Sequence, residues 1–467
     1  MRLNKLPYTL ALLIGLTSLS TSCKKLLDVE PELIKTSKQA FSNDRSADSV
    51  VVGMYFKMAN SYAYSMEMPF SMGFSSDELK PGKDSFSLGY TYMFKNNLDP
   101  ADAMTNSFWT ESYNLIFIAN SIIEGVAASP GMSDAGKLKC TAEARFIRAF
   151  AYFYLVNLFG DVPLVTNTDY KKSALFPRQS STLVYQQILE DLLMAEASLM
   201  DNYPTEGRVR ANKWTAKAML ARVYLYLKDW ENAELRASEV IANAQKYRLG
   251  EMTGTNAADA VMNIFYANSE EAIFQFWNNT GTSLGYSALT EYYNNYAVND
   301  DPEYGLLAAF EPGDKRAFNY VMPATAAGGE SRIYKYRLIN ESPDYKEFTM
   351  VLRLAEQYLI RAEARAMRDQ VGTAVEDLNK IRNRAGLNDL AASMTREETL
   401  IHVEKERRLE LCFEWGDRWL NLKRLGHLDQ VMNLAKPGLW TSTAAFYPVP
   451  RTEILLNTNL KQNPGYN

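Results

Sequence analysis

The residue with the most distinctive chemistry in this sequence is Cys23, a thiol placed directly after the small-residue run Ser20-Thr21-Ser22. Arg2 and Lys5 make a short basic region upstream, and Leu10 to Leu19 form an apolar stretch, so residues 1–22 read as an export signal cleaved in front of the cysteine. The arrangement is similar to a bacterial lipobox, in which the cysteine is lipidated and becomes the first residue of the mature chain. It is a relaxed one: Leu is usual three positions before the cysteine, where Ser20 stands here, and Leu19 lies one residue further back. A single acyl chain holds a protein only marginally at a membrane, so stable attachment requires several. The alternative is an ordinary secretory signal with an incidental cysteine.

Parts for other covalent or metal chemistry are scarce. His402 and His427 are the only imidazoles, and Cys140 and Cys412 the only other thiols, which leaves little for a zinc site or imidazole-dependent nucleophilic catalysis; no metal or cofactor is expected. Both cysteines sit in helical, apolar surroundings (137–159 and 399–425), where a free thiol behaves as a small hydrophobe. Two unpaired thiols are expected, with a disulfide as the alternative that only their approach in the fold decides. A glycoside hydrolase needs two carboxylates roughly 5 to 10 Å apart across a cleft. Adjacent acids such as Glu270/Glu271 and Asp300/Asp301 are too common in loops to indicate one.

Aromatic surface is plentiful, with Tyr 28, Phe 21 and Trp 7 together making 12% of the chain. Two loop-like stretches concentrate rings beside polar groups. The first, Tyr62 to Phe94, carries Asp77, Phe86, Tyr90 and Tyr92; the second carries Trp277, Tyr286, Tyr292, Tyr293 and Tyr296 among Asn278, Asn279 and Asn294. Ring faces stack on the apolar C–H faces of sugars, and amides or carboxylates pair with hydroxyls. The expected ligand contacts are therefore Asp77, Tyr90, Tyr92, Trp277, Tyr286, Tyr292 and Tyr293. Core packing is the competing use of every such ring.

The elements that must position these residues are mostly helical. At 47% hydrophobic and 22% charged, the 467 residues have the composition of a globular chain. The net charge of -5, which becomes -7 once Arg2 and Lys5 leave with the signal, offers no basic cluster for nucleic acid. No later stretch approaches 18 uninterrupted apolar residues, so a membrane is met only through the lipid anchor. Asn43 is placed to cap a helix to about Met58, and Asp99-Pro100 reads as N-cap and first residue of a helix through Asn120. From Lys137 an all-round apolar helix runs to Gly160. Helical periodicity returns over 183–199, 214–227, 231–244, 348–367 and 373–385. Ala221 to Ala233 and Ala362 to Ala374 repeat a twelve-residue spacing that lets paired helices touch, as in a tetratricopeptide repeat. Between about 250 and 345 the period gives way to Gly, Asn, Thr, Pro and Tyr, which predicts long loops with short strands or helices. A last helix is signposted by Thr395 and Glu398 at its start and Gly426 at its end, with Glu404/Arg408 and Glu414/Arg418 as i,i+4 pairs. The Pro-rich tail beyond Tyr447 is expected to be held by side chains.

Several segments, taken in order, resemble one family: EARFIRAFAYFYLVNLFGDVPLV (143–165), the helix pair around 212–246, YLIRAEARA (358–366), LNKIRNRAGL (378–387), ERRLELCFEWGDRWLNLKRLG (406–426) and YPVPRTEILLNTNLKQNPGY (447–466). With the N-terminal cysteine, AF at 40–41, SSDE at 75–78 and WTESYNLIFIAN at 109–120, they are similar to the SusD/RagB family of Bacteroidetes-type outer-membrane nutrient-binding lipoproteins. The resemblance implies a mainly α fold, SusD-like, with four tetratricopeptide-like helix pairs and a loop-rich face. It divides a single domain (23–467) into an N-terminal helical part (23–249), a loop-rich binding insert (250–345) and a C-terminal helical part (346–467).

The same resemblance implies a cell-surface position and a partner, a SusC-like TonB-dependent transporter that receives a glycan or peptide. Ligand contacts in the family lie in variable loops, so its signature residues are not carried over as a site. Arg145, Arg148, Asp161, Arg407, Arg408 and Arg418 are expected instead to fix helix ends and interhelix ion pairs. A tetratricopeptide scaffold for a protein partner is the second reading, and an all-helical hydrolase the third.

Overall fold

The computed structural model describes residues 37–83, 87–277, 289, 296–324, 329–338 and 346–466. Helix α1 (Asp44–Ala59) starts where the sequence places it: the Asn43 side chain accepts from the Ser46 amide, and Ser46 returns the bond to Asn43. Helix α2 (Ala103–Ala128) starts later than expected. Its cap is Asp102, whose carboxylate accepts from Thr105 N at 2.9 Å, while Asp99 closes the preceding turn through Ala101 N. Helix α3 (Asp134–Phe159) is buried almost all round over its second half and stops at Gly160, whose φ of 72° suits a residue without a Cβ. Helices α4 (Ser181–Ser198), α5 (Lys213–Tyr226), α6 (Trp230–Ala242), α7 (Leu354–Met367) and α8 (Val371–Arg384) follow.

Neighbours in sequence pack on one another: α2 on α3, α3 on α4, α5 on α6, and α7 on α8. Ala221, Ala233, Ala362 and Ala374 are fully buried, as close contact within the α5–α6 and α7–α8 pairs demands. Arg148 and Arg145 of α3 reach Asp191 of α4 at 2.7 and 2.9 Å, and Asp161 accepts from Ser181 N at 2.8 Å, so these charges serve structure as expected.

Two stretches read as helix are not. Thr349–Arg353 is a strand, antiparallel to Ala272–Phe276, and every residue of both is buried. A short apolar run with both faces covered has no alternation to mark it as strand. The last helix is broken into α9 (Arg396–Glu410) and α10 (Asp417–Leu425). Phe413 and Trp415 take positive φ in the break, which is held by Trp415 Nε1 donating to Met350 O at 2.6 Å. The break also redirects its charges. Glu414 serves Lys335 and Arg353, and Arg408 and Arg418 turn to Asp77, so neither predicted i,i+4 pair forms as such.

The 250–345 stretch carries short strands. Labelled in chain order, β1 (Leu79–Lys80), β2 (Met252–Thr253), β3 (Val261–Met262), β4 (Ala272–Phe276), β5 (Ala297–Val298), β6 (Val321–Met322), β7 (Arg332–Ile333) and β8 (Thr349–Arg353) form an antiparallel sheet β1-β5-β7-β6 and the pairs β2-β3 and β4-β8. Buried ion pairs knit this stretch to the C-terminal helices: Arg353 to Glu271 at 2.7 Å, Arg384 to Glu271 at 2.9 Å, and Arg316 to Glu406 at 2.8 Å. The tail is held by side chains, with Asn463 Nδ2 donating to Phe159 O and Tyr447 O, and Arg178 to Lys461 O. Cys140 and Cys412 are free and buried, and burial pushes their thiols up to about 11 and about 12. No helix among the described residues is long and apolar enough to cross a membrane.

Candidate ligand-binding face

Asp77 lies on the turn that leads into β1, and long-range pairing rather than local sequence fixes its surroundings. It is 2% exposed, and its carboxylate accepts from Arg418 Nε at 2.8 Å, Arg418 Nη2 at 2.9 Å and Arg408 Nη2 at 2.9 Å. Burial pushes its pKa upward, but the guanidinium charges of Arg418 and Arg408 outweigh it and hold the group well below the usual carboxylate range. Next to it, burial and the Asp77 charge push Glu78 up to about 8. Asp77 is thus a clamp between the N-terminal segment and the α9–α10 break, which corrects its expected role as a ligand contact.

Tyr90 is corrected in the same way. Its segment is a short helix (Leu88–Phe94) that turns the ring inward, leaving 3% exposed. The ring lies on Phe74 at 4.8 Å and 20° and meets Tyr296 edge-on at 4.8 Å, with Phe70 at 5.6 Å. Its hydroxyl donates to Glu67 at 2.9 Å, and burial pushes that carboxyl up to about 7 despite the hydroxyls around it. Tyr92 is half-buried against the same core.

Trp277 stands differently. Strand β4 is anchored by β8 and by ring contacts such as Phe276 to Trp415 at 5.5 Å, and it delivers Trp277 to the surface, 44% exposed. There Trp277 lines a concavity of about 270 Å³ with Val52, Tyr55, Phe56, Ala59, Thr205, Val209, Arg210 and Phe276. Phe56 (53% exposed) and Val52 (44%) come from the outer face of α1. The charged member, Arg210, is buried and fully engaged: it donates to Glu143 at 2.6 and 2.9 Å and to Asp48 at 2.8 Å. Among the described residues this surface presents mostly rings and methyl groups, with the exposed Thr205 hydroxyl beside them.

Phe56 was not among the residues expected from the sequence. The signal was present: Val52 and Phe56 stand four apart, out of phase with the buried series Ala47, Val51, Met54, Tyr55 and Met58. Of the other expected contacts, Tyr286, Tyr292 and Tyr293 lie outside the described residues, as do Phe86, Asn278, Asn279, Asn294 and the lipidation candidate Cys23. Among the described residues no group of His, Cys, Asp or Glu is placed to hold a metal ion. Glu271, one half of an acidic pair, is buried against Arg353 and Arg384.

Comparison with known proteins covers nearly the whole chain. Residues 25–225 match a family model described as "Starch-binding associating with outer membrane", and residues 238–466 match one described as "SusD family". The chain is 27% identical to SusD-like protein P38 of Formosa agariphila, with all of both chains covered. It is 26% identical to the starch-binding protein SusD of Bacteroides thetaiotaomicron, over 72% of this chain and 74% of that one. Among solved structures, a Bacteroides vulgatus protein described as "Putative sugar binding protein" superposes with a TM-score of 0.75 at 24% identity, over 93% of this chain and all of the other.

Proposed function

This chain belongs to the SusD/RagB family, and from that premise we propose that it is a lipid-anchored outer-membrane protein that binds a glycan and passes it to a TonB-dependent transporter. The observation that carries this reading is the family match along both halves of the chain, 25–225 and 238–466, the first under a description that names starch binding and the outer membrane. The site chemistry supports it. Arg145, Arg148, Arg407, Arg408 and Arg418 are spent on ion pairs inside the fold. The exposed wall beside β4 offers aromatic faces, which suit a ligand held by stacking and released intact. Capture needs no bond to break, and Cys23 supplies the tether.

The test is made in the bacterium that encodes the chain. Radiolabelled palmitate enters the wild-type protein and not Cys23→Ser, and the detergent-solubilised wild type brings a barrel transporter with it. The purified chain binds at least one member of a panel of plant, algal and storage glycans and leaves its chain length unchanged. Release of the processed protein into the medium with an unmodified first residue would overturn the tether. New reducing ends in the glycan would overturn capture without chemistry.

A further inference from the structure

Helix α9 buries one stripe, Thr399, Val403, Glu406, Arg407 and Glu410, and presents another to a groove. Ile401, Glu404, Lys405 and Arg408 stand at i, i+3, i+4 and i+7, the spacing of a single helix face, and Ile401 at their head is 67% exposed. Together with Arg418 of α10 and with Ala308 and Ala309 of the short helix Leu306–Ala309, they line a concavity of about 400 Å³. The acids around it are shared. Asp77 takes both Arg418 and Arg408, Glu311 takes both Arg382 and Lys405, and Glu404 lies between Arg418 at 3.4 Å and the His427 ring at 2.9 Å. Glu78, beside Asp77, titrates at about 8 and is largely uncharged at neutral pH.

The groove is therefore electropositive on a chain of net negative charge. Two neighbours register it. Burial lowers the Arg408 pKa and the Arg418 charge adds to the effect, so that Asp77 does not restore it. Burial and the charges of Arg382 and Lys405 push His402, the residue after Ile401, below the usual imidazole range. The clamp on Asp77 does not use up Arg408. Both bonds that it makes come from Nη2, to Asp77 at 2.9 Å and Tyr304 O at 2.7 Å, and its Nε is buried without a partner among the described residues. Arg408 and Lys405, three positions apart on one face, form a seat for a carboxylate. The apolar part of the groove is aliphatic, Ala308, Ala309 and Ile401, and receives the methyl groups of Leu, Ile or Val, whereas a sugar face stacks best on a ring. A free acid would leave that part uncovered; a polypeptide with an acidic residue beside an aliphatic one fills both. We propose that the α9 groove docks an acidic and aliphatic segment of the barrel transporter, its carboxylate on Lys405 and Arg408 and its aliphatic side chain on Ile401. This rests on the transport reading and gives it a place on the surface.

Two measurements on the full mature chain and the detergent-solubilised transporter test it. In titrations, Ile401→Glu should weaken the complex by about tenfold or more, because it sets a like charge beside the seated carboxylate, while Ile401→Leu keeps the wild-type affinity. Neither change should move the melting temperature, since the side chain is mostly in water. A water-soluble carbodiimide joins an amine to a carboxylate in contact with it. It should link Lys405 to Glu311 in the free chain and to an Asp or Glu of the transporter in the complex, read by mass spectrometry of the joined peptides. Wild-type affinity in Ile401→Glu, or a Lys405 link to Glu311 alone in the complex, would overturn the docking site and leave the transport reading standing. Displacement of the transporter by hexagalacturonate that binds the wild type and not Ile401→Glu would overturn the protein occupant in favour of an acidic glycan. A wild type that holds no transporter would overturn the transport reading and the docking site with it.

Discussion

Tyr90 and Trp277 are large rings in stretches rich in loop formers, and the fold treats them in opposite ways. Tyr90 has a polar tip with a buried carboxylate to meet it, so the ring is drawn into the Phe70–Phe74–Tyr296 cluster and only 3% of it stays exposed. Trp277 follows a strand whose own residues already fill the core on both faces, so the next ring is carried out to the surface at 44%. The region around residues 67–90 binds the molecule together; the wall of α1 and β4 presents rings to what lies outside. Ring type is shared between them, and the partner waiting for the polar atom decides the outcome.

The largest expected break in this comparison is at Asp77. Asp77→Asn leaves Arg408 and Arg418 facing a neutral amide in a buried site, and the loss of the charge should cost about 3–5 kcal/mol. Chemical denaturation at pH 7 checks it. The sign of its pH dependence is fixed as well. Because the folded state holds Asp77 well below the usual carboxylate range, its stabilisation is complete above that range and is lost as pH falls below about 4. The Asn variant should lose that acid-side slope.

Much of the fold is legible in the residue types and their spacing, and the reasons for the gaps are specific. Caps are local chemistry, so Asn43, Thr395 with Glu398, Gly160 and Gly426 stand where their types place them. The paired Ala residues mark helix contacts because size alone decides how close two helices come. The role of Asp77 is hidden from the sequence because its partners lie 331 and 341 residues away, a distance no motif spans. The break between α9 and α10 carries one local signal, Gly416 with a φ of 65°, but the run reads as continuous helix because its other two positive-φ positions hold Phe413 and Trp415, where glycine is the usual residue. Tyr90 could not be told from Trp277 without knowing that Glu67 lay beneath it.

Glu67 gives the second test, of opposite sign to Asp77. Its folded pKa of about 7 lies above that of a free carboxyl, so the folded state binds the proton more tightly and stability falls as pH rises between about 4.5 and 7. In Glu67→Gln the stability lost between pH 5 and pH 8 should shrink by about 3 kcal/mol; what slope remains belongs in part to Glu78, which titrates at about 8. Urea midpoints at the two pH values measure this. An unchanged slope would mean that Glu67 is hydrated and that the Tyr90 region resembles the exposed wall more than its burial indicates. A smaller effect is expected one bond further on, since Tyr90→Phe keeps the ring stack and removes only the donor to Glu67, at about 1 kcal/mol. Ligand affinity should not move with it.

The smallest effect sharpens the comparison most. Phe56→Ser and Trp277→Ser remove two of the largest apolar groups on the α1–β4 wall, yet each of these side chains is about half exposed before the change. Substitutions of that kind shift stability within about 0.5 kcal/mol, so the melting transition should stay in place. Rings held for the fold lose stability when removed, as Tyr90→Ala should; rings held for a ligand lose only binding. If Trp277→Ser instead destabilised the chain by several kcal/mol, its ring would belong with Tyr90 among the packing residues, and the wall beside β4 would be an edge of the core.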